Sequence, residues 1–151
     1  MGLTAIDLHV KRVVEIDIDL VRRIRNSGRD GFSNDTSIIT EEQQKEWWKN
    51  NEEKCIAFLF SDKEVVCGYC MVRYEDDKWW DSIAVLSEFR GKGYGKWMLH
   101  YTITHVPYDV WSTIRLDNMA SIKIHVKEDW ERVGLGFNDE CVIFHTWSGR
   151  K

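Results

Sequence analysis

The order of strand-like and helical runs, β-α-α-β-β-β-α-β-α-β, predicts a mixed α/β fold for this chain of 151 residues. Two local features sharpen the expectation. Three consecutive strand-like runs with short polar connections read as an antiparallel meander. A glycine-rich hexapeptide, Arg90-Gly91-Lys92-Gly93-Tyr94-Gly95, then joins the last of them to an amphipathic run. The length suits a single domain over residues 1–151 with one hydrophobic core, needing no metal or disulfide staple.

Each element follows from its residues. Thr4 to Val10 reads as a first strand. Asp17 to Asn26 reads as a helix because Ile18, Val21, Ile24 and Arg25 recur at helical spacing, and Ser27-Gly28 supplies its stop. Residues 29–39 are rich in Gly, Asp, Asn and Ser and form a loop. Thr40 then starts a second helix as N-cap, with Gln43 completing a capping box. Cys55 to Phe60 and Val65 to Tyr74 form a hairpin across Ser61-Asp62-Lys63-Glu64, and Trp79 to Leu86 is the next strand. The helix after the glycine loop, beginning at Lys96, should turn Tyr94, Trp97, Met98 and Tyr101 inward, with Pro107 ending it. Asp109 to Arg115 reads as a strand, Asn118 to about Arg132 as a helix, and Phe137 to Trp147 as a final strand.

Composition removes several function classes. The net charge of −4 argues against a broad nucleic-acid surface and suits an amine substrate. No apolar run is long enough to span a membrane, and the N-terminus lacks the apolar stretch of a signal peptide, so a cytoplasmic location is expected. Cys67-Gly68-Tyr69-Cys70 has the spacing of a zinc knuckle, but a second pair is missing, and in a strand the two thiols would face opposite sides. The four cysteines are therefore expected to be reduced core residues, with no metal.

The hexapeptide carries the chemistry. Alternate glycines let backbone N–H groups converge on an anion, and the following helix adds the positive end of its dipole. A P-loop is excluded because Arg90 stands at its first glycine and Trp97 at its Ser/Thr; a dinucleotide fingerprint would need glycine at Lys96. Arg90-x-x-Gly93-x-Gly95 instead resembles the Arg/Gln-x-x-Gly-x-Gly/Ala loop of the GNAT family of N-acetyltransferases. Val85-Leu86-Ser87-Glu88-Phe89 resembles that family's Val-x-Pro-Glu-Phe/Tyr lead-in, with Ser87 in place of proline. A second landmark, Asn-x-x-Ala-x-x-x-Tyr followed by Gly-Phe, is similar to Asn118 through His125 and then Gly136-Phe137. Here Ser121 replaces the alanine, His125 the tyrosine, and about seven extra residues precede the glycine.

The resemblance implies the GNAT-like acyl-CoA N-acyltransferase fold: a central, mostly antiparallel twisted sheet, flanked by helices, whose fourth and fifth strands splay apart around coenzyme A. It implies acetyl-CoA as cosubstrate, bound by Arg90, Gly91, Lys92, Gly93, Tyr94, Gly95, Lys96 and Asn118. Main-chain groups of Val85 and Leu86 would hold the pantetheine arm and polarise the acetyl carbonyl. His125, at the tyrosine position, would protonate the departing thiolate. Asp81, the one carboxylate within its strand, is the candidate base, with Glu75 as a substitute. Arg25, Asn26 and Trp47, together with the run Ile39-x-x-Glu42-x-Gln44-x-x-Trp47, look like the subgroup that acetylates nucleotide-linked amino sugars and ribosomal-protein N-termini.

The expected function is transfer of acetyl from acetyl-CoA to a small-molecule primary amine by direct attack in a ternary complex, an amino-sugar nucleotide being favoured. A protein N-terminus or lysine, a polyamine, or a silent coenzyme A sensor are the alternatives. The expected partners are the amine substrate and a second copy of the chain, without nucleic acid or membrane.

Overall fold

The computed structural model describes residues 7–28, 37–136 and 140–147. Seven strands form one sheet in the order β1-β2-β3-β4-β5-β7-β6, where β1 is Leu8–Arg12, β2 Cys55–Asp62, β3 Val65–Glu75, β4 Lys78–Val85, β5 Val110–Arg115, β6 Glu131–Leu135 and β7 Cys141–Thr146. Every neighbouring pair is antiparallel except β4 and β5. Helices α1 (Ile18–Ser27) and α2 (Glu41–Asn51) lie on one face, and α3 (Tyr94–His105) and α4 (Met119–Lys127) on the other.

Alternation along the strands divides the core in two. Tyr69, Met71 and Ala84 pack with Val21, Ile24 and Trp48 of α1 and α2. Phe60, Cys70 and Val72 pack with Met98, Leu99 and Ile103 of α3. Both hairpins turn on two left-handed residues, Lys63-Glu64 (φ 52° and 67°) and Asp76-Asp77 (φ 51° and 65°), the twist that short β connections need. Thr40 caps α2 as its sequence requires: its hydroxyl accepts from the Gln43 amide at 3.2 Å, and Gln43 Oε1 accepts from the Thr40 amide at 2.9 Å. The first strand begins its described pairing at Leu8 and runs on to Arg12, two residues beyond its expected end; Thr4 to Ile6 and residues 29–36 lie outside the described residues.

Three expectations are corrected. Helix α3 starts at Tyr94, and its inward face centres on Met98, Leu99, Thr102 and Ile103, so Trp97 and Tyr101 are only partly buried. Cys67 and Cys70 share one face. A bulge, in which Phe60 pairs with Gly68 and Ser61 with Val66, leaves Cys67 as the extra residue and shifts the alternation by one. Helix α4 stops at Lys127, not near Arg132, and residues 131–135 form the additional strand β6. The break is at Asp129, whose φ of 61° ends the helix in the left-handed region, after which Trp130 is buried against His125. Asp129-Trp130 thus fills the place expected for Gly136-Phe137, four residues after the helical histidine. The supposed insertion is strand β6 itself; Phe137 lies outside the described residues.

All four cysteines are free and buried. Burial pushes the Cys55 thiol up to about 12, against the opposing pull of Arg12 and Arg73, and it pushes Cys67 up to about 11. The folded protein should therefore be silent to a thiol-reactive dye that reports four groups once denatured. Because these folded-state values lie above the reference value of 9.0, their contribution to stability is full below pH 9 and is lost as pH rises toward about 12. Unfolding midpoints across that range, which should fall, check the sign.

Candidate active site

Strands β4 and β5 pair only at Trp79 with Val110 and Trp80 with Trp111; beyond these positions they diverge. Asp81 and Ser112, the first residues past the last pair, stand at the fork of this V. A cleft of ≈ 650 Å³ opens between the strands, floored by β3, β4, β5 and β7 and roofed by α1 and α2. Its two sides follow from alternation: Arg73, Trp80 and Ser82 face the roof, whereas Asp81 points toward α4.

Asp81 and His125, expected separately as base and acid, form one pair. His125 Nε2 lies 2.8 Å from Asp81 Oδ2, and His125 Nδ1 lies 2.7 Å from the Ser121 carbonyl. The side chains are 1% and 3% exposed for His125 and Asp81 respectively. A carbonyl only accepts, so Nδ1 carries a proton; a second proton must lie between Nε2 and the carboxylate for that contact to be a hydrogen bond. The pair is consequently neutral as a whole, as burial demands. Trp130 holds the imidazole from one side, edge to face at 4.7 Å, and Phe144 lies against it at 6.1 Å. The fork therefore carries a shielded carboxylate–imidazole unit, with both imidazole nitrogens engaged by Asp81 and the Ser121 carbonyl.

The glycine loop lies at the other end of β4. A short 3₁₀ turn over Ser87–Phe89 leads into it, Gly91 and Gly93 adopt φ of 74° and 91°, and Gly93 caps α3. The first helical hydrogen bond is from the Trp97 amide to the Gly93 carbonyl at 3.2 Å, so the amides of Tyr94, Gly95 and Lys96 have no acceptor within their own helix. With the dipole of a twelve-residue helix behind them, they form an anion cradle. Arg90 and Lys92 support its frame: Arg90 Nε donates to the Val85 carbonyl at 2.8 Å, and Lys92 Nζ to the Glu88 carbonyl at 3.0 Å. Lys96 is exposed on the first turn.

Val85 and Leu86 differ in a way that the sequence did not reveal. The Leu86 amide donates to the Cys67 carbonyl at 2.8 Å, within the β3 edge. By the alternation of an antiparallel ladder, the main-chain groups of Ile83 and Val85 turn instead toward the open fork. Asn118 caps α4, its Oδ1 accepting from the Ser121 amide at 3.2 Å, and lines the cleft.

In the roof, Arg25 and Trp47 line the cleft but Asn26 does not. Asn26 Nδ2 donates to the Ile39 carbonyl at 2.9 Å and its Oδ1 accepts from the Ile39 amide at 3.0 Å, tying α1 to the segment before α2. Arg25 donates to the Ser37 carbonyl. The sequence missed Arg73, whose place in the cleft depends on the β3–β4 register that sets it opposite Trp80.

The chain and its fold match known proteins. The acetyltransferase (GNAT) family model matches residues 21–130, ending on Trp130. No curated protein sequence gives a match. Among solved structures, the chain is similar to an N-acetyltransferase from Staphylococcus aureus Mu50, with a TM-score of 0.77 and 18% identity, covering 94% of this chain and 99% of that one. A spermidine N-acetyltransferase from Vibrio cholerae, in complex with CoA and spermine, gives a TM-score of 0.78 at 10% identity over 95% of this chain and 97% of that one. A ribosomal-protein-alanine N-acetyltransferase from Brucella melitensis gives 0.76 at 19% identity, over 92% and 99%. With a forked parallel pair, an amide cradle after its fourth strand and a family match over well over half its length, the chain belongs to the GNAT acetyltransferase family.

Proposed function

We propose that the protein transfers acetyl from acetyl-CoA to the primary amine of a small molecule by direct attack within a ternary complex. The observation that carries this reading is the continuity of cradle, open strand edge and buried proton-carrying pair along β4. The cradle residues, Gly91 to Lys96, fit a pyrophosphate, and the same neighbouring fold from Vibrio cholerae was solved with CoA. Held there, the nucleotide lends its binding energy to positioning the thioester at the fork. The Val85 amide, on the open edge, would direct the pantetheine arm and acetyl carbonyl.

The amine nitrogen attacks the thioester carbon, the carbon–sulfur bond breaks, and one proton must travel from nitrogen to sulfur. Asp81, its carboxyl held by His125, would take that proton from the amine and hand it to the departing thiolate, returning the pair to its neutral state. The amine acts as a nucleophile only when unprotonated, so turnover should rise with pH. Release of coenzyme A from acetyl-CoA, followed with a thiol-reactive dye across amino sugars and their nucleotides, polyamines, aminoglycosides and short peptides, tests the reading. Transfer to one class supports it; acetyl-CoA binding without transfer to any would favour a silent sensor.

The cradle has its own test. Valine at Gly93 would place a branched side chain at φ 91°, adding about 1–3 kcal/mol of backbone strain and crowding the amides. Gly93→Val should weaken acetyl-CoA at least about tenfold, read by calorimetry and by loss of the ligand-induced rise in unfolding temperature. Wild-type affinity in that variant would move the anion site elsewhere.

A further inference from the structure

Acetyl transfer itself gives no role to the cations on the acceptor side of the cleft. Arg73 sits on β3, faces the roof and is 22% exposed at its side chain. Its Nη1 donates to Ser82 Oγ at 2.9 Å, and its Nε lies 3.6 Å from Glu75 Oε2, beyond good hydrogen-bond length. A guanidinium offers five donors in a fixed fork, and nothing among the described residues occupies Nη2. Arg25 enters the same cleft from α1. Glu75, the ion-pair partner of Arg73, and Asp76 line the same cleft and are exposed, whereas Arg73 is half-buried and the Asp81–His125 pair beyond it is buried and neutral.

Such an order opposes an acceptor that is cationic throughout, because its distal ammonium would meet guanidinium inside the cleft. It suits an acceptor with an amine at one end and an anion at the other. Register adds the rings: Arg73, Trp80, Trp111 and His145 stand directly opposite one another across four strands, so Trp80 is the cross-strand neighbour of Arg73. Trp47 lines the roof. Planar walls beside a guanidinium are suited to a sugar or base ring carrying phosphate.

We infer, resting on the acetyltransferase reading, that the acceptor is an amine bearing an anionic group, which Arg73 receives while the amine is directed to the fork. Phosphate and carboxylate share the required chemistry, and matched pairs of probes separate them. The CoA-loaded protein is titrated calorimetrically with glucosamine 1-phosphate against glucosamine, with alanine against alaninamide, and with spermidine. At least one anionic probe should bind about tenfold tighter than its partner lacking the anion, the margin of a charge-assisted bidentate contact. Arg73→Gln should abolish that preference with CoA affinity unchanged, and Arg73→Lys should keep part of it, separating anion recognition from a packing role.

The inference is overturned if the partners lacking the anion bind equally tightly, if the preference survives in Arg73→Gln, or if spermidine binds tightest. Thiol release is measured on the same probes. A preference in binding without transfer would sink the enzyme reading alone, while transfer without a preference would sink only this inference.

Discussion

Phenylalanine in place of His125 should abolish acetyl transfer and destabilise the fold by about 3–5 kcal/mol, because it leaves the Asp81 carboxylate buried without a partner. For a chain of this length that corresponds to a fall in unfolding midpoint on the order of 10 °C. Asp81→Asn behaves differently. An amide fits the same space and can still hydrogen-bond Nε2, so stability should change little, whereas kcat should drop about 10²–10⁴-fold through loss of the proton acceptor.

The two effects are separated by a third variant, Asp81→Leu with His125→Phe. Removing both charged partners at once leaves no buried ion behind, and the double variant should recover most of the midpoint lost in His125→Phe alone. It should stay inactive although it binds acetyl-CoA. Thermal unfolding, acetyl-CoA calorimetry and thiol release on the set give the answer. A double variant with wild-type kcat would reduce the pair to a structural plug.

The sequence disclosed the parts whose physics is local. The capping box at Thr40, the two hairpins and the left-handed glycines of the loop each follow from neighbouring residues, and each stands where expected. What it hid depends on register or on a conformation unusual for the residue type. Asp129 does the work of a glycine in the left-handed region, so the sequence extends the helix five residues too far, to about Arg132, and places the glycine landmark at Gly136. A single bulged residue moved Cys67 to the face of Cys70. Asp81 and His125 are 44 residues apart in the chain, and only the fork of β4 and β5 under α4 brings them together. Asn26, chemically apt for a substrate, is instead engaged by the backbone of Ile39.

Gly68 shows how one such hidden constraint couples fold to site. It lies beside the bulged Cys67, opposite Val85 in the β3–β4 ladder and beneath α3. A Cβ there would stand 2.2 Å from the Ala84 carbonyl oxygen and 3.0 Å from Met98 Cε. Methionine can swing aside, but a backbone oxygen in a paired strand cannot without moving β4. Gly68→Ala should therefore destabilise the protein by about 3 kcal/mol, the upper range for an overpacked core, and lower the midpoint by roughly 6–12 °C. The displaced segment runs into Val85 and the amide cradle, so acetyl-CoA affinity should weaken in the same variant even below its melting range. At Gly95 the equivalent Cβ would meet Ile124 and Val85 side chains at 3.5 and 3.6 Å, ordinary contact distances, so Gly95→Ala should leave the midpoint nearly unchanged. Equal midpoints for the two alanine variants would show that β4 yields freely at Ala84, and that its position does not govern the cradle.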